Sequence, residues 1–172
     1  MPLTYKKIAS VTVGSGGGSI VFTNIPQTYT DLVLYISGRT DWTTDTNDQI
    51  RIYLNGNTSN YSHKLLLGTG STTDGDGTQN TAPGVNAQTQ TNAMTANTFS
   101  NDYIYIPNYT SAEHKAVGHD HTTENNATLS YITLGATVWA NTSAVTSITV
   151  GTFRGADWRQ YSSATLYGIK KN

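Results

Sequence analysis

The stretch "QIRIYLNG", Gln49 to Gly56, decides the fold class. Ile50, Ile52 and Leu54 fall on one side of an extended chain, and Arg51 and Tyr53 on the other. A period of two is the signature of a strand with one dry face and one wet face. Just upstream, "DLVLYISGR" (Asp31 to Arg39) carries Leu32, Leu34 and Ile36 on one face and Val33 and Tyr35 on the other, which predicts a central strand. Downstream, an Asn-rich turn leads into "YSHKLLL". No window of ten or more residues repeats apolar side chains at i, i+3, i+4 and i+7, so no helix is expected.

The same strand-and-turn pattern runs to both ends of the chain. "YKKIASVTV" and "IVFT" flank the Gly-rich "GSGGGS" and read as an N-terminal hairpin with a flexible tip at Gly16 to Gly18. "TFSNDYIYIPNY" sets Tyr103 and Tyr105 against Ile104 and Ile106, and Pro107, lacking an N–H, closes that strand. "KAVGHDHTT", "TLSYITLGATVWA", "AVTSITVGTF" and "SSATLYGIKKN" complete the series. Residues 68–97 break the rhythm, with Val85 and Met94 the main large apolar side chains among Gly, Thr, Asn and Asp. They are expected to lie outside the sandwich as a long polar loop, or as an arm that orders against a neighbouring subunit. Nine or ten strands in 172 residues predict an all-β protein. The expected architecture is a single domain over residues 1–172, an antiparallel two-sheet β-sandwich of jelly-roll type.

Composition narrows the function classes. The formal charge is −1 and charged residues make up only 12% of the chain, so neither nucleic acid nor an anionic membrane is an expected partner. Thr, Ser, Asn and Gly supply most polar positions, and copies of such a surface repel one another weakly. With no cysteine, the fold depends on no disulfide and no Cys-ligated zinc. "MPLTYKKIAS" lacks an apolar core behind its lysines, and no run approaches the roughly 18 apolar residues of a membrane span, so a soluble protein without an export signal is expected.

Candidate sites are few. His119 and His121 in "VGHDHTTENN" share one face of a strand, and two imidazoles at that spacing could hold Zn²⁺ or Cu²⁺ if Glu113, His114 or Glu124 supplied a third ligand. The competing reading is a polar, solvent-facing strand that runs into a turn. "TDGDG" (Thr73 to Gly77) begins like a calcium loop but lacks the closing Glu, and Asp-Gly pairs are ordinary turn formers. Asp41, Asp45 and Asp48 in "DWTTDTND" could gather oxygen ligands or simply form Asx-turns. Catalysis finds no thiol, no G-x-S-x-G elbow and only two glutamates, Glu113 and Glu124, so no catalytic residue and no cofactor is expected. Five N-x-[ST] sequons, at Asn57, Asn60, Asn108, Asn126 and Asn141, are what an Asn/Thr-rich chain produces by chance. Trp42, Tyr109 and Trp158 sit in polar loops. They could contact a sugar or a partner, or fold back to cap the sandwich.

Four segments carry a resemblance. They are "IVFTNIPQTYTDLVLYISGRTD" (Ile20 to Asp41), "IRIYLNGNTSNYS" (Ile50 to Ser62), "YIYIPNYTSAEHKAV" with "TTENNATLSYITLGATVWANTSAVTSITV", and "QYSSATLYGIKKN". In these the chain resembles small structural proteins of tailed bacteriophage virions, above all those of cyanophages and other marine phages. The resemblance covers most of the chain outside 68–97, with an "F-x-x-I-P-x-x-Y-T-D-L" opening and an "L-Y-G-I" ending around one domain. It implies a non-enzymatic virion protein made in the host cytoplasm, and it carries over no catalytic residue. A short domain without heptads has no shaft of its own, so a capsid decoration or cement protein, trimeric and in contact with capsid or tail proteins, is the leading expectation. A tip domain that binds a host-surface glycan through loop aromatics is the alternative.

Overall fold

A computed structural model describes residues 4–15, 17–46, 48–81 and 87–170. Twelve strands are named among them: β1 (Tyr5–Thr12), β2 (Ile20–Phe22), β3 (Asp31–Ser37), β4 (Asp48–Leu54), β5 (Tyr61–Gly68), β6 (Thr73–Thr81), β7 (Ala87–Thr89), β8 (Asn101–Ile106), β9 (Lys115–Thr122), β10 (Ile132–Trp139), β11 (Ile148–Thr152) and β12 (Ser163–Ile169). They form two antiparallel sheets, one in the order β1-β12-β3-β8-β9-β10-β5-β6 and one in the order β2-β11-β4-β7.

The topology is that of a jelly roll with two additions. Setting aside the hairpins β5–β6 and β9–β10, the eight remaining strands interleave as first-eighth-third-sixth against second-seventh-fourth-fifth. That order follows when a long folded-over ribbon wraps around one core. The two extra hairpins extend only the larger sheet, beyond β8. The protein is therefore an all-β, two-sheet sandwich whose larger sheet projects past the smaller one.

Alternation builds the apolar core. Ile50, Ile52 and Leu54 of β4 face Leu32, Leu34 and Ile36 of β3, with Ile104, Ile106, Ile148, Val150 and Leu166 closing the layer. Trp158 packs against Gly38, where a Cβ would collide with its ring, and its Nε1–H donates to Val150 O at 2.9 Å. The expected wet face of β4 is present, with Arg51 half-buried beside the Phe153 ring at 4.6 Å.

Two expectations are corrected. The N-terminal segments do not form a hairpin: β1 pairs with β12 in the larger sheet, and β2 pairs with β11 in the smaller one. The glycines between them carry the chain from one sheet to the other, and Gly17 takes φ 77° where it passes Asp157. Gly16 lies outside the described residues. Nor is 68–97 excluded from the sandwich. Thr73–Thr81 is the edge strand of the larger sheet, and Ala87–Thr89 is the edge strand of the smaller one. Gln88, Thr89, Gln90, Thr91 and Met94 are all buried, while Val85 lies outside the described residues. Arg39 fixes this segment from below. Its guanidinium donates to the carbonyls of Met94, Thr95 and Thr98 at 2.8–3.1 Å and to Asn92 Oδ1 at 3.4 Å.

Candidate interaction surface

The histidine strand is the first place to look for chemistry. His119 and His121 do lie on one face of β9, together with Lys115 and Val117, but that face points into the sandwich. The solvent-facing reading is corrected: both imidazoles are buried. They form one continuous chain of hydrogen bonds. Ser100 Oγ–H donates to Asp102 Oδ2 at 2.7 Å, and His121 Nδ1–H donates to Asp102 Oδ1 at 2.9 Å. His119 Nδ1–H donates to His121 Nε2 at 3.0 Å, and Thr137 Oγ1 reaches His119 Nε2 at 3.5 Å. Each neutral ring thus has one donor and one acceptor in use, which is how a buried imidazole is satisfied.

Burial also sets the charges. It raises the Asp102 carboxyl above the ordinary aspartate range, against the hydrogen bonds from His121 and Ser100 that work to lower it. Burial first, and the neighbouring His121 and His63 after it, hold His119 down to about 3. The set contains Ser, Asp and His but in the wrong order for a nucleophile. The serine bonds the carboxylate and not an imidazole, so the set lacks the Ser–His contact of a nucleophile and its base. What the chain of bonds does is line a second, polar core between β8–β10 and the segment 87–91. There Gln90 Nε2–H donates to Thr123 O at 2.6 Å.

The other proposed ligands are spread apart. Glu113 and His114 are exposed, and Lys115 Nζ donates to the carbonyls of Ser111 and Glu113. Glu124 accepts from the Asn126 and Asn125 N–H groups and from Ser130, and these bonds, Asn126 foremost, lower its carboxyl. Asp41 accepts from Asp157 N–H, Asp45 lies 3.6 Å from Arg154, and Asp48 accepts from the N–H groups of Gln49 and Arg154. Asp74 and Asp76 sit on β6, each bonded to the glycine N–H that follows it. Among the described residues no three His, Asp or Glu side chains converge as metal ligands. The sequons mark turns: Asn60, Asn108 and Asn126 take positive φ, while Asn57 and Asn141 bond the N–H two residues ahead.

The three loop aromatics divide. Tyr109 and Trp158 are fully buried, so of the two readings they take the one in which the ring folds back onto the sandwich and not the one of an exposed contact. Tyr109 donates to Pro26 O and closes one end of the core. Trp42 is half-buried, with the Arg154 guanidinium 5.5 Å from its ring.

The most exposed apolar surface lies elsewhere, on the outer face of the larger sheet. In β10 the register turns Thr133, Gly135, Thr137 and Trp139 inward and leaves Ile132, Leu134, Ala136 and Val138 outside. The inward side is fixed by its partners: Thr137 serves His119, Gly135 gives its ring room, and Trp139 stacks on Tyr61 at 6.2 Å. Outside, Ile132 is 65% exposed, Leu134 60%, and Leu66 beside it on β5 is 66%. The flanking outward positions are small or polar, namely Gly75 and Gly77 on β6 and Ala116, Gly118 and Asp120 on β9, so the face is low and open. Toward the other edge it continues into tyrosines. Tyr103 packs on Tyr35 at 5.4 Å, Tyr35 on Tyr167 at 5.9 Å, and Tyr167 on Tyr5 at 6.4 Å.

Simple alternation in "ITLGATVW" marks this strand but not its direction. A reader of hydrophobicity alone places Ile132 and Leu134 inside. The signal for the inversion is the neighbouring "HDH", whose inward rings demand polar and small residues beside them. Comparison with known proteins adds no relative: no protein-family profile, curated protein or solved structure matches the chain.

Proposed function

We propose that this chain is a bacteriophage virion surface protein, a capsid decoration or cement protein that acts by protein–protein contact and catalyses no reaction. One observation carries the reading: three aliphatic side chains, Leu66 on β5 and Ile132 and Leu134 on β10, stand outward on an open sheet face while threonine and glycine of β10 point inward. A one-residue slip of register would bury them. Keeping them outside leaves apolar area in water at about 25 cal/mol per Å², a cost that a partner removes on contact. The low charge density lets copies approach one another or a capsid lattice closely. Capsid or tail proteins and further copies of the chain, as a trimer, are the partners of this reading. Peptide mass fingerprinting and imaging of purified virions test it; absence of the chain from mature particles overturns it.

A second reading, a receptor- or carbohydrate-binding tip domain, draws support from the outward tyrosines Tyr5, Tyr35 and Tyr167, whose rings offer stacking area on the same sheet. A glycan array, with host adsorption by virions carrying Tyr35→Ala, separates the two: only the second reading expects adsorption to fall while assembly stays intact.

A further inference from the structure

At one end of the sandwich a hollow of about 310 Å³ opens between the 92–99 segment and the turn that precedes β12. Arg39, Asn92, Asn97, Phe99, Arg159 and Tyr161 contribute to its wall. Two independent features of the chain meet there.

The backbone is strained at one point of the rim. Ser162 N–H donates to Arg159 O at 3.0 Å, closing a four-residue turn in which Tyr161, the third residue, has φ 74°. That position of a turn favours glycine or asparagine. Six of the seven non-glycine residues with positive φ among those described are asparagines: Asn24, Asn55, Asn60, Asn97, Asn108 and Asn126. Their short amides tolerate the left-handed region, whereas an aromatic side chain does so only at a cost. Packing does not offset the cost at Tyr161, because the side chain is 69% exposed. The ring stands in solvent at the edge of the hollow.

Charge is the second feature. Neither guanidinium of the wall forms an ion pair among the described residues. Arg39 is held rigidly by carbonyl oxygens and Asn92, which satisfy its N–H groups but leave its charge uncompensated. Burial first, and then the Arg159 charge, lower its pKa. Asp41 and Asp157 line a separate hollow that meets this one at Arg159 and Gln160.

We propose that the hollow binds one acidic sugar residue, of the uronic or sialic acid kind, with its carboxylate on Arg159 and its ring against Tyr161. A guanidinium matches a carboxylate through paired N–H donors, and an exposed phenol ring stacks on the apolar face of a pyranose. Asn97 and Gln160 supply amide donors and acceptors for ring hydroxyls. The volume is at the small end of ligand pockets, which suits one sugar unit and not an extended chain. The proposal gives the glycan-binding reading a ligand class but places it away from the sheet face, and it does not depend on the virion contact.

Titration of the purified intact chain by NMR tests it, with glucuronate and N-acetylneuraminate as ligands. Glucose serves as the neutral control, and acetate and an oligoglutamate peptide as carboxylates without a sugar. Saturable shifts at the rim of the hollow are expected for the acidic sugars, at least tenfold tighter than for acetate or the peptide, with none for glucose. Arg159→Gln should weaken binding at least tenfold without changing the melting temperature. Tyr161→Gly should weaken it similarly and raise the melting temperature by about 2–4 °C, because it releases the strain. Tyr161→Phe should keep both properties. Equal binding of glucose, no binding of any sugar, or tighter binding of the peptide overturns the proposal. So does a Tyr161→Gly protein that melts lower, since the ring would then serve stability. Host adsorption by virions tests the glycan-binding reading separately, so failure of either is distinguishable from failure of the other.

Discussion

His119 Nδ1 and His121 Nε2 lie 3.0 Å apart on the inner face of β9, in a hydrogen-bond chain that ends at the buried Asp102 carboxyl. The two rings, two residues apart on one strand, share one N–H···N bond, and burial holds His119 neutral. The interior of the larger sheet is therefore built in a form that acid disfavours.

The sign of the pH dependence follows from His119. Its folded pKa is held to about 3, below the ordinary imidazole value of about 6.5 that the unfolded chain follows. Between those values the unfolded chain binds a proton that the folded chain refuses, so stability is lost as pH falls from about 6.5 toward 3. By linkage the loss from this one group is on the order of 3 kcal/mol by pH 4. Asp102 works in the opposite sense: its raised folded pKa means that the folded chain takes up a proton first, so stability from it is gained as pH falls toward 3.8. The change in urea midpoint from pH 7 to pH 4 should be more unfavourable for the native sequence than for His119→Gln. Equal changes would remove His119 from the account.

Gly135 is the seat of the His119 ring, since a Cβ there would meet the imidazole. Gly135→Ala is expected to destabilise the fold by about 1–3 kcal/mol through overpacking. His119→Ala costs stability alone but should absorb much of the Gly135→Ala effect in the double variant. A denaturation cycle over the four proteins checks this; strict additivity would mean that the two residues do not share the space.

Arg39 gives the 92–98 segment its conformation through three carbonyl bonds. Arg39→Met leaves those acceptors without their charged donor, a loss of about 2–3 kcal/mol. Limited proteolysis should locate new cleavage between Asn92 and Thr98, while the Trp158 fluorescence of the core stays native. Cleavage spread through the strands instead would show that Arg39 supports the whole sandwich.

The sequence was legible where one face of a strand is apolar and the other wet. Ile50, Ile52 and Leu54 declared β4 outright, and Ile104 and Ile106 declared β8. It was not legible where pairing comes from afar. Tyr5–Thr12 joins Ser163–Ile169 at the other end of the chain, and no local turn signal at the glycines predicts that. The Thr73–Thr81 strand carries no alternation at all, because its stability comes from main-chain bonds to β5 and its glycines leave the outer face bare. At the candidate surface the strand was legible but its direction was not: His119 and His121 claim the inside, which leaves Ile132 and Leu134 outside.

Leu134→Lys should change the unfolding free energy of the isolated chain by no more than about 0.5 kcal/mol, because the side chain already stands in solvent. Paired with Ile132→Lys, it converts the apolar face to a cationic one without touching the core. A destabilised double variant would mean that the face is part of the fold and not a contact surface.

The most direct measurement counts copies of the chain per purified virion by quantitative mass spectrometry, for the native sequence and for Ile132→Lys/Leu134→Lys. The account predicts a fixed stoichiometry for the native chain and at least a tenfold loss for the variant, with the variant still folded in solution. Absence of the native chain from virions, or full incorporation of the variant, would contradict it.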